Sequence, residues 1–168
     1  MSMSTRALVP VEEYLRMSFE GPDPEYLDGE LVERNLGDDS HSSTQANLVG
    51  ILHPLKKKFR IHVRPEIHMR LAPTRIRVAD LAIFREKPAD RIPSSPPYVV
   101  VEIVSPGDRY TEIHEKLEEY RRWGIQHIWL VDPASQNFSV YDDAGLREVP
   151  VLALPEYELT IQKTDVFE

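Results

Sequence analysis

From Tyr98 to Val104 the chain reads Tyr-Val-Val-Val-Glu-Ile-Val, a run with no polar face. A strand of this kind cannot lie against water on either side, so it belongs inside a sheet covered by helices. Thr111 to Trp123 follows with helical spacing and stops at Gly124, a natural residue for the turn that ends a helix. Ile128 to Val131 is then a further core strand, stopped by Asp132-Pro133. Strand, helix and strand in that order form the centre of the fold.

The flanking chain fills in around this centre. Pro10-Val-Glu-Glu-Tyr-Leu predicts a short helix with proline at its start. Glu25 to Arg34 predicts a strand or hairpin turning at Asp28-Gly29. Ser40 to Phe59 predicts a helix capped by Ser42 or Ser43, with Leu48, Ile51, Leu52, Leu55 and Phe59 along one side. Pro54 interrupts it, because it lacks a backbone donor and crowds the preceding turn. Next, Ile61, Val63, Ile67, Met69 and Leu71 alternate with His62, Arg64, Glu66, His68 and Arg70, the pattern of a half-buried strand broken or edge-like at Pro65. Ile76 to Phe84 is another strand. Phe138 to Tyr141, Val149 to Leu154 and Tyr157 to Ile161 predict short peripheral strands. The fold class is therefore α/β (α+β): a mixed central β-sheet flanked by helices, with extra peripheral strands.

At 168 residues the chain matches one domain, 1–168, with a substantial core. It has no cysteine, which excludes disulfides, thiolate metal sites and cysteine nucleophiles. No apolar run reaches the roughly 18 residues of a spanning helix. The N-terminal MSMSTRALVPVEEY lacks the apolar stretch of a secretory signal, so the expectation is a cytoplasmic protein without a membrane partner. The net charge of −8 argues against indiscriminate nucleic-acid binding, but the charge is uneven. Glu20 to Asp39 holds eight acids and one base, Arg34, whereas Lys56 to Arg77 holds eight bases and one acid, Glu66. That basic block is either a solvated face or a phosphate-facing strip.

Two carboxylates stand where apolar residues belong. Asp80 lies in IRVADLAIF, sharing a strand face with Ile76, Val78, Ala82 and Phe84, and Glu102 lies in YVVVEIV. An ionised carboxylate in such surroundings costs several kcal/mol unless it is paired or metal-bound. Each acid could cap a strand end or pair with an arginine. Together on core strands they instead suit a divalent cation, magnesium or manganese, which favours hard carboxylate oxygens. With about 100° per residue, Lys116 falls about 60° from Ile113 on the helical wheel, at the border of the stripe formed with Leu117 and Tyr120. Its ammonium either snorkels to solvent or aims along the sheet at the two acids.

The blocks YLDGELVER, His41 before a helix, VADLAIF, VVVEIVSP and EKLEEYRRWGIQHIWLVDP resemble the PD-(D/E)XK nuclease superfamily, and within it the bacterial Uma-type group of restriction-endonuclease-like proteins. The resemblance runs from about Tyr26 to Asp132 and implies a restriction-endonuclease-like core. It implies that Asp80 and Glu102 hold the metal, with the backbone carbonyl of Ile103 as an extra ligand. Val104 stands where the superfamily motif has its lysine, and Lys116 on the following helix matches the position from which this group supplies it. Ala79 replaces the motif proline, which is not a ligand. Glu30 matches an acidic position near the site, and its alternative is a hairpin-surface acid. His41 matches a histidine position, and its alternative is a polar residue at a helix start.

The implied function is a magnesium-dependent DNA endonuclease (manganese also serving). Asp80 and Glu102 would bind the ion, Lys116 and Glu30 would assist, and Lys56, Lys57, Lys58, Arg64, Arg109 and His41 would hold the nucleic acid. A homodimer would suit duplex cleavage, which takes two cuts. Two rivals remain: a catalytically silent DNA-binding module on the same fold, and a structural or interaction protein using Tyr120, Trp123 and Trp129 as an interface.

Overall fold

A computed structural model describes residues 7–168. The expected lack of an apolar leader falls partly on residues 1–6, which lie outside the described residues. Pro10 precedes α1 (Val11–Tyr14). Strands β1 (Glu25–Leu27) and β2 (Glu30–Val32) form the expected hairpin. Its two turn residues, Asp28 and Gly29, have φ of 52° and 97°, the left-handed backbone that a two-residue hairpin turn requires.

Helix α2 (Asp39–Leu52) and the short α3 (Leu55–Phe59) replace the single helix expected over 40–59, with the break at His53-Pro54. The cap is Asp38, whose carboxylate accepts the His41 backbone N–H at 2.9 Å, and not Ser42 or Ser43. Strand β3 (His62–Ala72) pairs along its length with β4 (Arg75–Phe84). Its expected apolar face does not hold together. Val63 packs into one core cluster and Ile67, Met69 and Leu71 against another, and between them Glu66 has φ of 47°.

The centre matches expectation. Strand β5 (Val99–Ile103), helix α4 (Tyr110–Trp123) and strand β6 (His127–Asp132) make a crossover unit whose strands are parallel. Gly124 ends α4 with φ of 103°. The odd residues Val99, Val101 and Ile103 bury against α2 together with Trp129 and Leu52. Val100 buries on the opposite face with Leu117 and Tyr120 of α4. Tyr120 and Trp129 are thus core residues on opposite faces of the sheet, and Trp123 is partly buried against the cluster that holds Tyr120, which removes them as an exposed interface.

Strands β7 (Asn137–Asp142) and β8 (Gly145–Val149) extend the sheet, giving the order β2-β1-β4-β5-β6-β7-β8 with β3 also on β4. The strand expected over 149–154 is divided at Pro150: β9 (Val151–Leu154) pairs with β10 (Leu159–Gln162) in a separate sheet. Tyr157 lies in a 3₁₀ turn before β10, and α5 (Lys163–Val166) closes the chain.

One irregularity of the sheet positions the candidate site. Strand β3 occupies one edge of β4 throughout. On the other edge β1 pairs as far as Ile76, and β5 takes over only at Leu81. Arg77 to Asp80 therefore face a fork between two partner strands, with no strand opposite them on that side.

Candidate active site

Backbone groups buried in the fork need partners, since leaving one unmade costs about 1–3 kcal/mol. Side chains supply them. The Val78 N–H donates to Glu25 Oε1 at 3.0 Å, and the Val78 carbonyl accepts from Lys116 Nζ at 2.8 Å. The Asp80 carbonyl accepts from Gln45 Nε2 at 2.8 Å. Asp80 then bridges the fork with its own side chain, Oδ2 accepting the Ile103 N–H at 2.7 Å. The fork is thus a polar cleft in the sheet, and its chemistry follows from the need to satisfy β4.

Glu102 extends from β5 toward α4, on the face shared with Val100. Tyr120 donates its hydroxyl to Glu102 Oε1 at 2.7 Å, and Lys116 Nζ lies 3.0 Å from Oε2. Burial pushes the Glu102 carboxyl up to about 7; Lys116 works against this rise, while Asp80 and Glu25 add to it. Lys116 itself is pushed further up, since Glu102 and Glu25 outweigh its burial. It also contacts Glu25 Oε1 at 2.8 Å, and Arg77 Nη1 holds Glu25 Oε2 at 2.7 Å. Burial acts to raise the Glu25 carboxyl, but Lys116 and Arg77 prevail and bring it down to about 2.

The other oxygen of Asp80, Oδ1, meets the Arg34 guanidinium, Nη2 at 3.2 Å, and the His41 imidazole, Nε2 at 3.4 Å. Burial acts to raise the Asp80 carboxyl, yet His41, Lys116 and the Ile103 N–H hold it below its ordinary value. The bond to Asp80 pushes the His41 imidazole up in turn. Arg34 also donates from Nη1 to Glu66 Oε2 at 3.0 Å, and Gln45 Nε2 holds Glu66 Oε1 at 3.0 Å.

Asp80, Glu102, Ile103, Lys116 and His41 all line one cavity of about 610 Å³, with Arg109 and Glu112 from the start of α4 at its border. Its donor set fits magnesium. Asp80 and Glu102 bring hard oxygens from neighbouring strands, and the burial that chiefly raises Glu102, with the smaller push from Asp80, is what a divalent cation offsets. Among the described residues no three His, Asp or Glu side chains form a ready-made cage. Magnesium does not need one, since it keeps several waters and takes one or two carboxylates plus substrate oxygens.

Other expected residues fall elsewhere. Glu30 is exposed on β2, the edge strand, and does not line the cavity; Glu25 of β1 and Glu33 just after β2 do. Lys56, Lys57 and Lys58 are exposed on α3, outside the cavity lining, and Lys58 pairs with Glu158. Their helix packs through Phe59 on Tyr157, away from the fork. Arg64 also lies outside the lining, on β3 opposite Ala82, and donates to the carbonyl of Val63. Sequence reasoning missed Glu25, Arg34, Gln45 and Arg77. The available signal for Arg34 was its isolation as the one base in an acidic run.

Comparison with known proteins places the family and the fold. The family model Uma2, described as "Putative restriction endonuclease", matches residues 11–164. A crystal structure of "a putative nuclease belonging to DUF820 from Anabaena variabilis ATCC 29413" superposes with a TM-score of 0.80 at 21% identity, covering 94% of this chain and 97% of that one. At that identity the likeness establishes the fold alone, a mixed sheet with flanking helices. No curated protein matches the chain.

Proposed function

The chain belongs to the Uma2 family, and from that premise we propose that it is a metal-dependent nuclease hydrolysing phosphodiester bonds in DNA. The observation that carries this reading is the meeting of Lys116 Nζ with Glu102 Oε2 at 3.0 Å, in the cavity that Asp80 also lines. Asp80 and Glu102, with the carbonyl of Ile103, would hold the cation, magnesium or manganese. The bound ion would supply positive charge to polarise the phosphate and make water more acidic. Lys116 neutralises charge developing on the phosphoryl oxygens. Tyr120 fixes the Glu102 carboxylate through Oε1 and leaves the face toward Oε2 for chemistry. Arg109, exposed at the mouth, holds a backbone phosphate of the substrate.

A second reading, DNA binding without cleavage, has one observation in its favour: Asp80 Oδ1 already has the Arg34 guanidinium and the His41 imidazole as partners. A cleavage assay on plasmid and single-stranded DNA decides between them, run with magnesium, manganese or EDTA. Cleavage that needs the metal and is lost in Asp80→Ala supports the nuclease. DNA retention without cleavage in any metal supports the silent module.

A further inference from the structure

Arg34 neither holds the cation nor activates water in the reading above, yet its side chain is only 16% exposed and lies against Asp80. A guanidinium so enclosed needs anionic partners, and it has two: Asp80 at 3.2 Å and the more exposed Glu66 at 3.0 Å. The nuclease reading gives Asp80 to the metal, and since Oδ2 accepts the Ile103 N–H, Oδ1 is the oxygen left for it. A divalent ion and a guanidinium cannot both sit on that oxygen without strong like-charge repulsion. Arg34 also occupies the stretch between β2 and α2, which is neither helix nor strand, so its long side chain can change partners by rotamer alone.

Resting on the nuclease reading, we infer that Arg34 stands in for the cation on Asp80 and transfers to the substrate's phosphate when metal and DNA bind together. Glu66, itself held by Gln45, keeps the guanidinium in the cavity during the exchange. The planar fork that grips a carboxylate grips a phosphodiester equally well, which a lysine here would not do. Metal and DNA binding are then coupled. Without DNA, the ion must displace Arg34 from Asp80; with DNA, the phosphate takes Arg34 away. By linkage, each ligand must strengthen the other to the same degree.

The test uses the full chain, wild type and Arg34→Gln. Magnesium is titrated by calorimetry without DNA, and a short DNA duplex is titrated by anisotropy in EDTA and in calcium. In Arg34→Gln the magnesium Kd should fall at least fivefold. The duplex Kd should stay within twofold of wild type in EDTA but rise at least fivefold in calcium. A residue of merely structural importance would weaken metal binding, and a general loss of positive charge would weaken DNA binding in EDTA as well; either result overturns the inference. Wild type that binds magnesium while Arg34→Gln binds it no more tightly overturns the role of Arg34 alone. Wild type that binds no magnesium overturns the nuclease reading with it. If Arg34→Gln does not fold, Glu66→Gln probes the same contact in reverse: it leaves Arg34 to Asp80, so magnesium binding must weaken, and an unchanged Kd overturns the proposal.

Discussion

Asp80 joins β4 to β5 through its side chain: Oδ2 accepts the backbone N–H of Ile103 at 2.7 Å, just beyond the point where the ladder between the two strands stops at Leu81 and Val101. One carboxylate therefore has two jobs, closing the fork with one oxygen and presenting the other to the cavity.

Substitutions at Asp80 should separate these jobs. Asp80→Ala leaves the Ile103 N–H without its partner in a buried setting, at a cost of about 1–3 kcal/mol. Asp80→Asn keeps an acceptor for that N–H, so its thermal unfolding should stay closer to wild type. Both variants should lose magnesium binding and cleavage. Melting temperature and magnesium titration, measured side by side, check this. Asp80→Asn melting as low as Asp80→Ala would show that the bond to Ile103 does not hold the fork.

Lys116 should matter for folding as well as for reaction. From the helical wheel it sits at the edge of a buried stripe, where alanine is harmless. In the structure its ammonium serves Val78, Glu25 and Glu102 at once. Lys116→Ala strands two buried carboxylates, and breaking a buried pair costs about 3–5 kcal/mol. Cleavage measured well below the variant's melting temperature should still fall about a hundredfold or more, the usual loss for one charge-stabilising group. An unchanged denaturation midpoint would contradict the central position given to this lysine.

What could be read from the sequence was what local pattern controls. The unit of β5, α4 and β6, the break at Pro54 and the turn at Asp28-Gly29 each rest on periodicity or turn chemistry within a few residues. Asp80 and Glu102 stood out because a charge interrupts an apolar strand. Glu25 and Arg34 did not, since both lie in an acidic, weakly patterned stretch and acquire meaning only from the fork that β4 makes with β1 and β5. The basic block was ambiguous for a related reason. Charge counted along the chain does not distinguish free cations from paired ones: Arg77 is tied to Glu25 and Glu119, and Arg75 to Asp28 and Glu119.

DNA contact should accordingly follow the cavity and not the lysine run. Arg109→Ala should weaken duplex binding and reduce the salt slope of log K by about 1, the signature of one lost phosphate contact. Replacing Lys56, Lys57 and Lys58 together with alanine should change affinity less than Arg109→Ala alone. Binding isotherms from low to moderate salt give both numbers. A larger slope change from the lysine triple would extend the DNA path over α3.

Glu25 gives the protein an acid-sensitive joint. Its carboxyl titrates near 4.5 when unfolded and is held down to about 2 in the fold by Lys116 and Arg77, against the opposing effect of burial. A group whose folded pKa is depressed stabilises the fold above its unfolded value, and that stability is lost as pH falls toward the folded value. The window is therefore pH 4.5 down to about 2. The gap of two to three units corresponds to roughly 3 kcal/mol at neutral pH. Glu25→Gln resembles the protonated acid in shape and cannot titrate. At pH 7 it should be clearly less stable than wild type, because Lys116 and Arg77 lose a shared anion. As pH falls through the window, wild type should lose stability faster than the variant, and the two denaturation midpoints should converge by about pH 2. Acids not coupled to Glu25 cancel in the difference, and Glu102, which Glu25 helps to raise, titrates above this window. A constant separation between the two curves from pH 7 to pH 2 would mean that Glu25 is not the anion holding Lys116 and Arg77 together.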